Sequence, residues 1–240
     1  MLEHRRSEWR EGLRHGIPIA CGYFFVSFTF GIYGVSLGFR WWECVLVSMT
    51  NLTSAGQVSG VGIIAEGGTL IELAVSQIVI NLRYSLMGIS LSQNTDEDFT
   101  GGKRAILAFG LTDEIYGVAA NRTTPVSTRY YLGLMTLPYF GWAAGTLFGA
   151  LFGSFVSETV TSIMTLAIYG MFIAIVVPKA KTDRKVLAVA LLAAAISVLC
   201  YSAPVLSKIP KGFSVIVCAV IAAAAGAWLF PVTGGGDADE

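Results

Sequence analysis

Leu70-Ile-Glu-Leu-Ala-Val-Ser-Gln-Ile-Val-Ile-Asn-Leu-Arg-Tyr-Ser-Leu-Met-Gly-Ile-Ser-Leu-Ser92 is long and apolar enough to cross a bilayer, yet Arg83 lies near its middle. The next apolar run, Lys103 to Asn121, holds Asp113 and Glu114 near its own middle. An ionised group at mid-bilayer depth costs at least about 2.5–3.5 kcal/mol even on the mildest insertion scale. Such groups persist where they face protein, pair with one another, or serve a substrate or ion pathway. Opposite charges at similar depth in consecutive runs can meet, which points to a transporter.

The composition agrees with a membrane setting. Of 240 residues, 54% are hydrophobic and 13% charged, against about 25% charged in an ordinary soluble domain. The formal charge is zero, so no basic field attracts nucleic acid. Cys21, Cys44, Cys200 and Cys218 all fall in apolar runs without metal-ligand spacing and read as small buried hydrophobes. His4 and His15 sit among charged residues near the N-terminus and read as solvated. No HExxH, phosphate loop or dinucleotide fingerprint occurs, so neither cofactor nor metal is expected.

The spacing predicts an all-α polytopic bundle with spans near 17–38, 44–66, 70–92, 103–121, 130–153, 158–178, 186–203 and 213–231, each long enough for about 30 Å of hydrocarbon. Residues 1–16 form a cytoplasmic or interfacial segment, 17–231 one transmembrane transporter domain, and 232–240 a short acidic tail. With eight crossings and the N-terminus inside, ten Lys and Arg fall inside and five outside, and the Lys179–Lys185 cluster is the strongest single vote for that orientation. The second run is the exception. Ser48 to Gly62 is rich in hydroxyls, amides and glycine, which predicts an unwound stretch near Thr53–Gly60 or a re-entrant hairpin, tolerated only against protein or a water-filled cavity. A hairpin there lowers the count to seven. Phe30 to Gly38 is echoed by Gly145 to Gly153, a sign of an internal repeat or of close helix contact.

Gln77, Asn81 and Ser85 fall on one helix face at i, i+4, i+8, with Tyr84 beside them. Arg83 lies about 200° from Asn81 around the axis, so the two face different neighbours. Asp113 and Glu114 point about 100° apart, so one meets Arg83 and the other faces a second polar element, for which the broken second run is the candidate. Three roles compete for these charges: a structural ion pair, recognition of a zwitterion by guanidinium and carboxylate, and proton coupling through a buried acid.

Asn81-Leu-Arg-Tyr84, Thr112-Asp-Glu114, Ser54-Ala-Gly-Gln57, Gly16-Ile-Pro18 and Pro138-Tyr-Phe-Gly-Trp142 together make the chain resemble the AzlC family over most of its length. The resemblance implies a secondary exporter of amino acids such as valine, leucine and isoleucine in the cell membrane. It also implies a small AzlD-like membrane subunit as partner. Where the family often carries Phe-Ala-Gly-Ser-Ala-Gln, this chain has Leu52-Thr-Ser-Ala-Gly-Gln57. On this reading Ser54, Gln57, Asn81, Arg83 and Tyr84 bind substrate, while Arg83, Asp113 and Glu114 form the coupling or ion-pair group. An intramembrane enzyme using the two acids, or a purely structural subunit, stands as the alternative.

Overall fold

The computed structural model describes residues 2–152, 155, 159, 173, 176–177, 180–202 and 211–230. Among these the secondary structure is helical, apart from one isolated bridge between Thr95 and Val126. The expected span 158–178 and the tail 232–240 lie almost wholly outside the described residues. Four helices run at the bounds the hydrophobic runs set or within two residues of them: α4 (Leu70–Ser92), α7 (Thr128–Phe152), α8 (Arg184–Ser202) and α9 (Lys211–Leu229). α9 packs on α8 and on α4. α1 (Leu2–Ser36) runs unbroken from the charged N-terminal segment through the first apolar run. Among the described residues, α1, α4, α7 and α8 are long and apolar enough to cross a bilayer.

The bundle is organised on α1 against α7. Cβ atoms built at Gly16, Gly133 and Gly141 would lie 2.6, 2.5 and 2.7 Å from Leu134 O, Trp9 O and Ala20 O. Gly145 and Gly149 meet the carbonyls of Phe24 and Phe28 in the same way. Lipid offers helices no hydrophobic drive to associate, so removing side chains at the contact lets the backbones approach and gain dispersion. Residue numbers rise together along the seam, so α1 and α7 run parallel. The glycine echo between 30–38 and 145–153 therefore marks this contact, not the repeat unit.

The two remaining apolar runs depart from the expected single spans. Residues 44–66 contain α2 (Trp41–Thr50) and α3 (Ser54–Ala65), and 103–121 contain α5 (Gly101–Phe109) and α6 (Asp113–Ala120). At 8–12 residues each, these reach about 12–18 Å, half a bilayer. Gln57 donates from Nε2 to Ser48 Oγ at 2.8 Å. Nine residues of straight helix would separate the pair by about 13 Å, so the chain folds back at Asn51–Thr53. The expected unwinding is thus confined to that turn, because α3 is regular from Ser54. Gly56 and Gly60 serve close packing, since a Cβ at Gly56 would lie 2.7 Å from Gln77 Oε1. Gly38 (φ +93°) and Gly67 (φ +73°) form the turns beside the two feet of this first hairpin, in the left-handed region that glycine enters without a Cβ penalty.

The second hairpin follows from its neighbours. α5 accompanies α7, with Phe99 on Tyr131 and Phe109 on Tyr139, each pair of rings 6.0 Å apart. α6 descends along α1, from Glu114 at Tyr23 to Arg122 at Glu8. Since α1 and α7 are parallel, α5 and α6 are antiparallel. Both tips carry a Leu-Thr pair, in Leu52-Thr-Ser54 and Leu111-Thr-Asp113. In each, the threonine is the N-cap of the returning helix: Thr53 Oγ1 accepts from Gly56 N and Thr112 Oγ1 from Ile115 N. α1 with the first hairpin and α4 with the second are thus matching units of opposite direction, the inverted arrangement in which transporters place their sites between repeats.

Candidate functional site

Both tips end beside Tyr23, which lies about 20 Å along α1 from Ser36. Leu52 packs in one cluster with Tyr23 and Trp142, and Thr112 bonds the Tyr23 hydroxyl. Between the tips opens a cavity of about 370 Å³, within the range of small-molecule sites. Its apolar wall comes from Pro18, Ile19 and Val26 of α1, with Leu52 and Trp142. Its polar wall comes from Tyr23, Ser54, Tyr84, Thr112, Asp113 and Glu114.

The charges divide as adjacent helical positions require. Arg83 Nη1 lies 2.9 Å from Asp113 Oδ2 and 3.1 Å from Oδ1. Arg83 also donates from Nη2 to Tyr84 Oη at 3.2 Å and sits over that ring at 5.0 Å. The two partners keep 39% and 36% of their side-chain exposure, so the pair is not sealed. Glu114 turns to Tyr23, whose hydroxyl lies 2.6 Å from Glu114 Oε2 and 2.6 Å from Thr112 Oγ1. The second polar partner is therefore Tyr23 of α1 and not the first hairpin.

Ser54, Tyr84, Asp113 and Glu114 line the cavity, and Arg83 stands one bond behind it through Asp113. Gln57 and Asn81 do not line it. Gln57, 1% exposed, accepts from Trp142 Nε1 at 2.9 Å and donates to Ser48, which in turn bonds Thr146 at 2.7 Å. Asn81 accepts from Thr53 at 2.8 Å and donates to Gln77, which donates to Gly56 O. These amides fasten the first hairpin to α7 and α4. The 200° between Asn81 and Arg83 is what lets α4 hold one hairpin with each side. Tyr23 and Trp142 were not singled out as site residues. A lone tyrosine next to Phe24 and Phe25 carries no spacing signal, and Trp142 was legible only as part of the Pro138–Trp142 motif.

At the N-terminal end of α1 a second polar group holds the helices together. Arg122 donates to Glu8 Oε1 at 2.8 Å and Glu11 Oε2 at 3.1 Å, and stacks over Tyr130 at 4.0 Å. The Glu8 carboxylate holds the Arg122 guanidinium above its ordinary value. His15 is exposed but not free, bonding Tyr130 Oη at 2.8 Å. Among the described residues, no three His, Cys, Asp or Glu gather as metal ligands.

Fold and site together define a polytopic helical membrane protein with a mostly apolar cavity that carries two acids. A family model described as AzlC protein matches residues 18–156, more than half of the chain and all of α2 to α7. The chain belongs to the AzlC family. It is 31% identical over 175 residues to an uncharacterised membrane protein of Archaeoglobus fulgidus, covering 72% of this chain and 76% of that protein. It is 30% identical over 148 residues to the inner membrane protein YgaZ of Escherichia coli, covering 60% of each. It is 26% identical over 171 residues to the branched-chain amino acid transport protein AzlC of Bacillus subtilis, covering 69% of this chain and 66% of that protein. No solved structure matches.

Proposed function

We propose that the chain is a secondary transporter that exports small neutral, branched-chain amino acids such as valine, leucine and isoleucine across the cell membrane. The observation that carries this reading is the cavity at the two hairpin tips, where Asp113, held by Arg83, and Glu114, held by Tyr23, face an apolar wall. That wall suits an aliphatic side chain, the two acids suit a zwitterion's ammonium, and the hydroxyls of Ser54, Tyr84 and Thr112 suit its carboxylate. The family membership and the name of the Bacillus subtilis relative point to the same substrates. Asp113 is committed to Arg83, which leaves Glu114 as the proton carrier. It lines the cavity and stays accessible, as a group trading protons with water must. Ser54 and Tyr84 contact substrate. Gln57 and Asn81 act by holding the first hairpin in place. A small AzlD-like membrane subunit completes the transporter.

The N-terminal end of α1 is the cytoplasmic one. With both hairpins re-entrant, Lys103 and Arg104 move to that end, joining Arg5, Arg6, Arg10, Arg14, Arg122 and Arg129, while Arg40 stands alone at the opposite end of this core. Eight against one favours this orientation by the positive-inside rule. Two hairpins in place of two spans leave the parity of crossings unchanged, so the Lys179–Lys185 cluster keeps its expected cytoplasmic side.

The test is efflux from liposomes preloaded with labelled valine, carrying the purified chain with and without a co-expressed small membrane subunit. Efflux that rises with an imposed pH gradient, and falls to the level of empty liposomes in Glu114→Gln, is expected. No efflux above empty liposomes under any ion gradient, with the subunit present, overturns the reading.

A further inference from the structure

We propose that Tyr23 is a positioning residue that relays the protonation state of Glu114 to the second hairpin tip. The inference rests on the reading of Glu114 as the proton carrier. A phenol has one proton, and here two oxygens at 2.6 Å compete for it. With Glu114 ionised, Tyr23 donates to the carboxylate and Thr112 donates its own proton to the phenol oxygen. When Glu114 takes up one proton from water, its carboxyl becomes a donor. The chain then reverses: Glu114 donates to the phenol oxygen, and Tyr23 donates to Thr112 Oγ1. No heavy-atom bond changes, and the only net event is uptake of one proton.

Reversal alters the tip itself. Thr112 Oγ1 already accepts from Ile115 N at 3.3 Å as the N-cap of α6. Once it also accepts from Tyr23, both its acceptor positions are filled and its own proton is released. Thr112 lines the cavity, so that proton becomes a new hydrogen-bond donor toward a substrate carboxylate. The same tyrosine stands edge-on to Trp142, with ring centroids 5.2 Å apart, and Trp142 is fixed by Gln57 of the first hairpin. Tyr23 is thus the point at which the polar networks of the two hairpins touch.

Among the described residues, the charged and titratable groups around Glu114 are Tyr23 of α1, Asp113 of α6 with its partner Arg83 of α4, and Tyr84 of α4. The first hairpin and α7 face the cavity with Leu52, Ser54 and Trp142, none of which titrates.

The experiment follows the carboxylic C=O band of Glu114 by infrared difference spectroscopy on the full chain in lipid, the band being assigned by its loss in Glu114→Gln. Tyr23→Phe keeps the ring and its edge contact but removes the acceptor of the carboxyl proton, so the band should move to higher frequency. Thr112→Val removes the acceptor at the far end of the relay and should move the same band in the same direction by a smaller amount. A band unmoved in both variants overturns the proposal. A transport reading that fails would appear separately, as a band that leucine does not perturb, whatever Tyr23 does to its frequency.

Discussion

The two hairpins share a geometry and a Leu-Thr pair at the tip but are held by different physics. The first contains no charged residue between Glu43 and Glu66 and is fastened by neutral side chains. Ser48 reaches Thr146, Gln57 reaches Trp142, Thr53 reaches Asn81, and Gln77 reaches the Gly56 carbonyl. The second packs through an apolar cluster of Leu107, Leu111, Ile115, Tyr131 and Leu134 and carries both acids at its tip. Buried amides and hydroxyls make directional bonds that are costly to leave unmade. Ionised groups beside a cavity can change partner when a proton or ligand arrives. The first hairpin is accordingly the fixed wall of the site, and the second carries its chemistry.

The largest test of that division is Arg83→Ala. Losing one member of a buried pair typically costs about 3–5 kcal/mol, because the remaining charge is stranded. This pair is more than a third exposed, so screening brings the loss below that range. The double variant Arg83→Ala/Asp113→Asn should recover part of it in thermal melts of purified protein. A double variant no more stable than Arg83→Ala would break the assignment of Asp113 to Arg83.

Gln57→Ala should come next. It leaves Trp142 Nε1 without its acceptor and removes one of the two partners of Ser48, at a cost of about 1–3 kcal/mol. Folded yield should drop while the pH dependence of transport per folded molecule is retained. A changed pH profile would place the first hairpin in the coupling machinery and erase the distinction between the two.

Thr53→Val and Thr112→Val sharpen the comparison, since each removes the same cap at a cost of about 1 kcal/mol. Similar melting shifts are expected from both, but only Thr112→Val should alter leucine binding. The smallest effect belongs to Ser90→Ala. Ser90 bonds Tyr116 at 2.9 Å on an exposed part of the second hairpin, and its loss should stay within about 0.5 kcal/mol.

Much of this site was legible in the sequence for one reason: a charge in the middle of an apolar run needs a partner. That reasoning reaches Arg83 with Asp113 and the separation of Asp113 from Glu114. The bounds of α4 follow from its hydrophobic length. The hairpins were harder. Residues 103–121 have the length and hydropathy of a full span, and a reversal at Gly110–Thr112 leaves no mark on composition, because both short helices still bury apolar faces. The polar first hairpin betrayed itself by its amides, yet those amides were read as cavity lining when they serve as fasteners. Whether a buried glutamine bonds a ligand or a tryptophan depends on the partner across the bundle, and sequence spacing within one helix does not encode that partner.

The hairpin geometry is tested most directly by which face of the membrane each foot reaches. Single cysteines at Arg40 and Glu66 flank the first hairpin, and those at Glu97 and Asn121 flank the second, in a chain whose Cys21, Cys44, Cys200 and Cys218 are replaced. In sealed vesicles of one orientation, an impermeant maleimide should label positions 40 and 66 from one side and 97 and 121 from the other. Labelling of 40 and 66 from opposite sides would mean that residues 44–66 cross the membrane as a span and that the paired-hairpin architecture is wrong.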